Sequence, residues 1–300
     1  MQATGADRQR VLARSMPWVF VLIWSTGFVV ARFGMPHAPP MSFLALRYAL
    51  SLLCFVGWIS LAGVDWPRGR EQWLHLAVVG VLIQAAYLGG VWSAVKAGIG
   101  AGTVALLVGL QPVLTAIWTA LTTWDAAQAR LSTRQWFGLL LGLAGLVLVV
   151  WPKLGGGEVT AWNLALAVFA LVGITVGALY QKRFVAPCDV RSASAVQLLA
   201  AFVVTAPLAA LEAEPIVWHP HMIGAMAWSV LVLTLGGSSL LYMLLQRGAA
   251  TRVTSLMYLV PPCTALMAWA LFGESFTPQM LLGMFLTVTG VALVVRAPAR

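Results

Sequence analysis

Ten runs of roughly 20 mainly apolar residues follow one another along the chain, and they constrain its fold more than any motif does. They lie near residues 16–33, 41–62, 73–95, 101–123, 134–151, 161–181, 192–211, 221–245, 253–273 and 278–295. Each is long enough to cross a hydrocarbon core about 30 Å thick at 1.5 Å per residue, and lipid offers no partner for an unpaired backbone group, so helices are expected. The connections are short and carry turn formers (Pro39 and Pro40, Gly69, Gly155 to Gly157, Pro187), which leaves no room for a soluble domain. Composition agrees: 61% of residues are apolar and only 9% charged, with a mean hydropathy of +0.90, where soluble chains carry about 25% charged residues. Cys54, Cys188 and Cys263 stand far apart, which excludes a disulfide scaffold and a zinc module. The net charge of +9 comes from basic residues standing singly or in pairs rather than in a nucleic-acid-binding patch.

Those basic residues orient the chain. With a cytoplasmic amino terminus, one side holds Arg8, Arg10, Arg14, Arg68, Arg70, Arg130, Arg134, Lys182, Arg183, Arg191, Arg247, Arg252, Arg296 and Arg300. The other holds Arg32, Lys96 and Lys153, and Arg47 is left inside a span. Both termini are therefore expected in the cytoplasm, which requires an even number of spans. The first run follows three arginines and resembles a secretory signal, but no cleavage site leads into a soluble chain, so it reads as a retained helix.

The chain repeats itself. At an offset of 150, Gly27 meets Gly177, Arg32 meets Lys182, Ser42 meets Ser192, Arg47 meets Gln197, Trp92 meets Tyr242, Gly98 meets Gly248 and Pro112 meets Pro262. After five extra residues around Asp125 to Ala129 the offset becomes 145, pairing Gly138 with Gly283 and Gly145 with Gly290. Two five-helix units result, and because five is odd the second enters the bilayer from the opposite face. Secondary transporters recurrently use such inverted repeats, with a binding site where the repeats meet. The expected architecture is all-α integral membrane, ten transmembrane helices as two inverted five-helix repeats around a central cavity. Residues 1–14 form a tail, 15–152 the first repeat, 160–296 the second and 297–300 a second tail.

Trp24-Ser25-Thr26-Gly27-Phe28 in the first helix, Arg47 in the second, and the closing run of Pro262 to Leu271, Phe272-Gly273-Glu274, Gly283 and Gly290 resemble the EamA-type repeat of the drug/metabolite transporter superfamily. The resemblance covers nearly the whole chain, twice. It implies a ten-helix inner-membrane exporter of amino acids or other metabolites, and the aromatic content is similar to that of the bacterial aromatic amino acid exporters. Two positions depart from the family pattern. Gln111-Pro112 stands where many members have Glu-Pro, and Trp124-Asp125 where the second half keeps Glu274.

No acid falls deep in a span: Asp7, Asp65, Glu71, Asp125, Glu158, Asp189, Glu212, Glu214 and Glu274 all lie in termini, loops or span ends. A permanently cationic drug would want an intramembrane carboxylate, so a neutral or zwitterionic substrate is favoured, most of all an amino acid with an apolar or aromatic side chain. Pro112, Pro261 and Pro262 lie midway along the fourth and ninth spans and are expected to act as hinges that free backbone carbonyls. Candidate substrate contacts are Trp24, Ser25, Gln84, Tyr87, Trp92, Gln111, Thr115, Trp118, Thr175, Ser238, Tyr242 and Tyr258, in a cavity lined by helices one, three, four, six, eight and nine. Aromatic walls suit apolar side chains and an ammonium over a ring face. Arg47 reads first as a structural residue that snorkels or binds carbonyls, ahead of capturing a substrate carboxylate, since its match Gln197 falls near the opposite face.

No metal site or cofactor is expected. His37, His75, His219 and His221 sit at span ends, and the last two read as isolated from other ligands. No phosphate-binding glycine loop followed by lysine is present, and no cluster of acids or histidines lies at depth, so the chain is not expected to be an enzyme. The rival readings are export of drugs, nucleosides or sugars, and a non-transport membrane scaffold. The expected partners are a small solute and the lipid bilayer, with no nucleic acid; monomer and homodimer stay equally open.

Overall fold

The computed structural model describes residues 5–122, 132–237, 240, 257–274 and 277–295, and all regular structure among them is helical. The helices are α1 (Gly5–Gly34), α2 (Pro40–Ala62), α3 (Arg70–Lys96), α4 (Ala101–Val108), α5 (Gln111–Thr122), α6 (Thr133–Gly155), α7 (Ala161–Phe184), α8 (Val190–Ala210), α9 (Pro220–Gly236), α10 (Val260–Phe272) and α11 (Pro278–Val295). Among the described residues, six of the expected spans are long and apolar enough to cross a membrane: α2, α3, the α4–α5 stretch to Trp118, α6, α7 and α8. The apolar segments Trp18–Gly34, Pro220–Gly236, Val260–Phe272 and Pro278–Val294 are shorter and occupy the places of the other four.

The ends of these helices are written in the sequence. Ser132 and Thr160 open α6 and α7 with full capping boxes closed by Gln135 and Asn163. Asp189 caps α8, and Pro40 sits in the first turn of α2, where its missing N–H has no helical partner to lose. Gly63 and Gly273 end α2 and α10 in the left-handed region, at φ 58° and 65°.

Two pairs of helices at corresponding places in the halves, α6–α11 and α2–α8, pack antiparallel. In the α6–α11 pair Gly138 lies against Gly290 and Gly145 against Gly283, a reciprocal crossing in which each glycine meets the match of the other. Backbones touch there: a Cβ on Gly290 would stand 2.5 Å from the Gly138 carbonyl oxygen, and one on Gly138 would stand 2.6 Å from that of Gly290. At the α2–α8 pair, Glu212 just beyond α8 accepts the amides of Met41 (2.9 Å) and Ser42 (2.7 Å) at the start of α2. The crossings α1–α9 and α3–α7 correspond as well: Gly27 faces Leu233, and Gly177 faces Ile83, the two matches at offset 150.

Two features lay outside sequence reading. Gly80–Leu88 within α3 and Trp228–Gly236 within α9 are wound as π-helix, at nearly matching positions of the two halves. Such segments widen a turn and frequently mark functional sites. The fourth span is broken at Gly109 and Leu110, one residue before Gln111-Pro112, and α10 starts from a short 3₁₀ turn, Met257–Leu259, just before Pro261 and Pro262. Each proline thus sits in the first turn of a new helical segment, the position where proline fits best.

A one-sided cavity with a buried arginine

A cavity of about 530 Å³ lies between the two halves, within the range of small-molecule sites. Its deep wall comprises Trp24, Gly27 and Phe28 of α1, Arg47 of α2, Ile83, Gln84, Tyr87, Leu88, Val91 and Trp92 of α3, and Leu233 and Thr234 of α9. Toward one face the wall continues through Gln181, Lys182 and the 185–188 connection to Ala193, Ser194 and Gln197 of α8. The cavity therefore opens on the face carrying that connection.

The opposite face is sealed by contacts between halves. The Val217 amide donates to the His37 carbonyl (2.8 Å), and Lys96 pairs with Glu214 (2.7 Å). Glu274 accepts from Ala101 (2.9 Å) and Glu158 from Gly100 (3.2 Å), so two carboxylates meet the free amides and positive dipole end of α4. Lys153, 9% exposed, joins this group by donating to Glu158 (2.7 Å) and to the Thr103 hydroxyl (2.8 Å).

Arg47 is the buried charge of the cavity wall, with Lys182 nearer the open face. It does not snorkel: it is 7% exposed, and its Nε and Nη2 donate to the Thr234 hydroxyl at 3.3 and 3.1 Å. Among the described residues no carboxylate pairs with it. A guanidinium has five N–H donors, so this single acceptor leaves most of the fork for a ligand. The neighbouring Tyr48 donates its hydroxyl to the Gln84 carbonyl (2.6 Å) and ties the π-wound part of α3 to α2.

Gln197 lines the same cavity as Arg47, which corrects the expectation that the two lie apart. Each sits eight residues into its helix, but α2 and α8 run in opposite directions, so both approach the middle of the molecule. The match of Thr234 at offset 150 is Gln84. The bonded Arg47 and Thr234, and their respective matches Gln197 and Gln84, thus all line one chamber.

Of the expected contacts, Trp24, Gln84, Tyr87 and Trp92 are in the wall. Ser25 and Thr175 are buried, but their hydroxyls turn back to the carbonyls of Val21 and Leu171 in their own helices. Gln111, Thr115 and Trp118 lie on α5, which packs against α7 and α11, and none is among the lining residues. Thr115 returns its hydroxyl to the Gln111 carbonyl (2.8 Å). Ser238 and Tyr242 lie outside the described residues, and Tyr258 belongs to the 3₁₀ turn before α10. Among the described residues, helices α2 and α8 line the cavity in place of the expected fourth and ninth spans. The histidines also differ from their sequence reading: His37 stacks on His219, ring centroids 4.3 Å apart, so His219 and His221 are not isolated.

Residues 16–151 and again 161–296 match the EamA-like transporter family. The chain belongs to that family. Full-length relatives of this EamA-like chain include the uncharacterized inner membrane transporter YedA of Escherichia coli K12, 27% identical over 91% of this chain and 87% of that protein. The uncharacterized transporter YvbV of Bacillus subtilis 168 is 24% identical over 91% and 88%. A protein named as a probable amino-acid metabolite efflux pump in Salmonella typhimurium LT2 is 23% identical over 90% of each chain. A crystal structure superposes with a TM-score of 0.65 over 94% of this chain and 95% of that one at 21% identity, which shows a shared fold. The chain is a membrane transporter of the EamA family.

Proposed function

We propose that this transporter exports small zwitterionic amino acids, those with apolar or aromatic side chains above all, by alternating access between two inverted five-helix repeats. The observation that carries the reading is Arg47, a buried cation in a solute-sized cavity with no carboxylate beside it among the described residues. A lone charge held out of water costs several kcal/mol, and a substrate carboxylate supplies the missing counter-charge through charge-assisted hydrogen bonds. The amide oxygens of Gln84 and Gln197 accept from the ammonium. Trp24, Phe28, Tyr87 and Trp92 take the apolar side chain.

The reciprocal glycine contacts of α6 with α11 and the antiparallel crossing of α2 with α8 support the inverted repeat. The basic residues support the direction. Arg68, Arg70, Lys182, Arg183 and Arg191 lie toward the open face, and Lys96 and Lys153 at the sealed one. With basic residues inside, the cavity faces the cytoplasm, both termini are cytoplasmic, and the molecule is poised to load substrate from within. The resemblance to amino-acid exporters and the relative named as an amino-acid metabolite efflux pump point to the same cargo.

The test is counterflow of a panel of labelled amino acids in proteoliposomes, with wild type beside Arg47→Gln. Movement of apolar and aromatic amino acids that falls at least about tenfold in the variant supports the reading. Movement of none of the panel by wild type refutes it.

A further inference from the structure

We propose that His37, His219 and His221 form a binding site for a divalent transition cation of the zinc class on the sealed face of the transporter. The three residues each present one ring nitrogen, and these nitrogens lie within 4.8 Å of one another. A tetrahedral zinc ion with bonds of about 2.0–2.1 Å spaces its nitrogen ligands about 3.3 Å apart. The remaining closure is a matter of side-chain rotation at the surface, where His221 is exposed and the half-buried His219 already stacks on His37. Three imidazoles with a fourth position left to water is an established zinc arrangement.

The backbone brings the ligands together independently of the rings. His37 lies in the connection from α1 to α2, where its carbonyl accepts the Val217 amide at 2.8 Å. His219 and His221 flank Pro220 at the start of α9. The rings of His219 and His221 have centroids 4.8 Å apart at 69°, and that of His37 lies 6.1 Å from His221. Lys96, the nearby cation, has its own counter-ion in Glu214 at 2.7 Å. One interaction opposes binding. The His219 ring accepts the His221 amide at 3.2 Å as a helix cap, and metal ligation gives up that long bond.

His37 belongs to one half of the chain, and His219 and His221 to the other, so a bound ion staples the halves across the seam that closes the cavity. The site is independent of the cargo, and its test involves no transport. The tag-free full chain in detergent is titrated with Zn²⁺ by calorimetry and with Co²⁺ by visible absorption. Expected are one saturable site per chain, the intense visible bands of tetrahedral Co²⁺, and at least about tenfold weaker binding in His37→Ala and in His221→Ala. These two positions are chosen because His219 also caps α9. Absence of saturable binding by wild type, or unchanged affinity in both variants, overturns the proposal.

Discussion

Replacing Gly290 by alanine tests whether the two halves meet through bare backbone. The added Cβ would stand 2.5 Å from both the Gly138 oxygen and the Gly142 nitrogen, whereas ordinary contact begins at 3.4 Å, so the shortfall is 0.9 Å. The obstructing atoms are main chain of a 23-residue helix, and no side chain can rotate away; α6 and α11 must separate along their seam. Overpacking of this kind costs about 1–3 kcal/mol, and two simultaneous backbone clashes place Gly290→Ala in the upper half of that range. Gly138→Ala meets the same contact from the other side, with the Gly290 oxygen at 2.6 Å. The double variant should therefore lose less than the sum of the singles, because the first substitution has already opened the seam. Gly57→Ala in α2 is the control: nothing lies within 4 Å of its added Cβ, and a helical glycine replaced by alanine gains up to about 1 kcal/mol. Thermal unfolding in detergent, followed by tryptophan fluorescence, reads these changes at roughly 2–4 °C per kcal/mol. Gly290→Ala melting at or above wild type, with Gly57→Ala behaving as stated, would show that backbone contact does not hold the seam.

Thr234→Val removes the hydroxyl that accepts from Arg47 and should cost about 1–3 kcal/mol in the same melting assay, with Thr234→Ser close to wild type. Lys153→Met removes the cation 2.7 Å from Glu158 and leaves that carboxylate only the Gly100 amide among its described partners. Because Glu158 is a third exposed and stays partly solvated, the loss should be about 1–3 kcal/mol rather than that of a fully buried pair. Hydrogen bonds from the Arg191 side chain hold the Asp189 carboxyl below its ordinary range, against the opposing effect of burial. A depressed carboxylate contributes its full stability above the unfolded value of about 3.9 and loses it as pH falls through the folded value. Melting temperature should consequently drop less on acidification for Asp189→Asn than for wild type.

Much of the helical frame was legible because membrane helices announce themselves locally. Apolar runs, Pro40, the Ser132 and Thr160 boxes and the terminal glycines are short-range signals, and the offsets of 150 and 145 that match Gly27 with Gly177 and Gly145 with Gly290 need only the sequence. Trp24, Gln84, Tyr87 and Trp92 were also within reach, since polar and aromatic side chains midway along apolar helices tend to face one another. The Arg47 and Gln197 pair was not. Counting residues from each helix end placed them at opposite faces, and only the antiparallel packing of α2 on α8 carries both toward the middle. Pro112 drew attention to Gln111, Thr115 and Trp118, yet the helix after that break packs on α7 and α11, away from the cavity wall. The π-wound segments leave no local mark, because widening one turn depends on what packs against it. The contact of His37 with His219 joins positions 182 residues apart and exists only in the folded chain.

Recognition of a zwitterion in this cavity requires a carboxylate to meet Arg47. The most direct measurement is flux of labelled phenylalanine against labelled phenylalanine amide, which keeps the ring and the ammonium and removes only the negative charge, in proteoliposomes of the wild-type protein. A charged hydrogen bond is worth about 1.5–3 kcal/mol, so the acid should be carried at least about tenfold better at low concentration. Arg47→Gln should erase that preference. Equal flux of acid and amide through the wild type, or a preference that survives the loss of Arg47, would contradict the assignment of this cavity to a zwitterion.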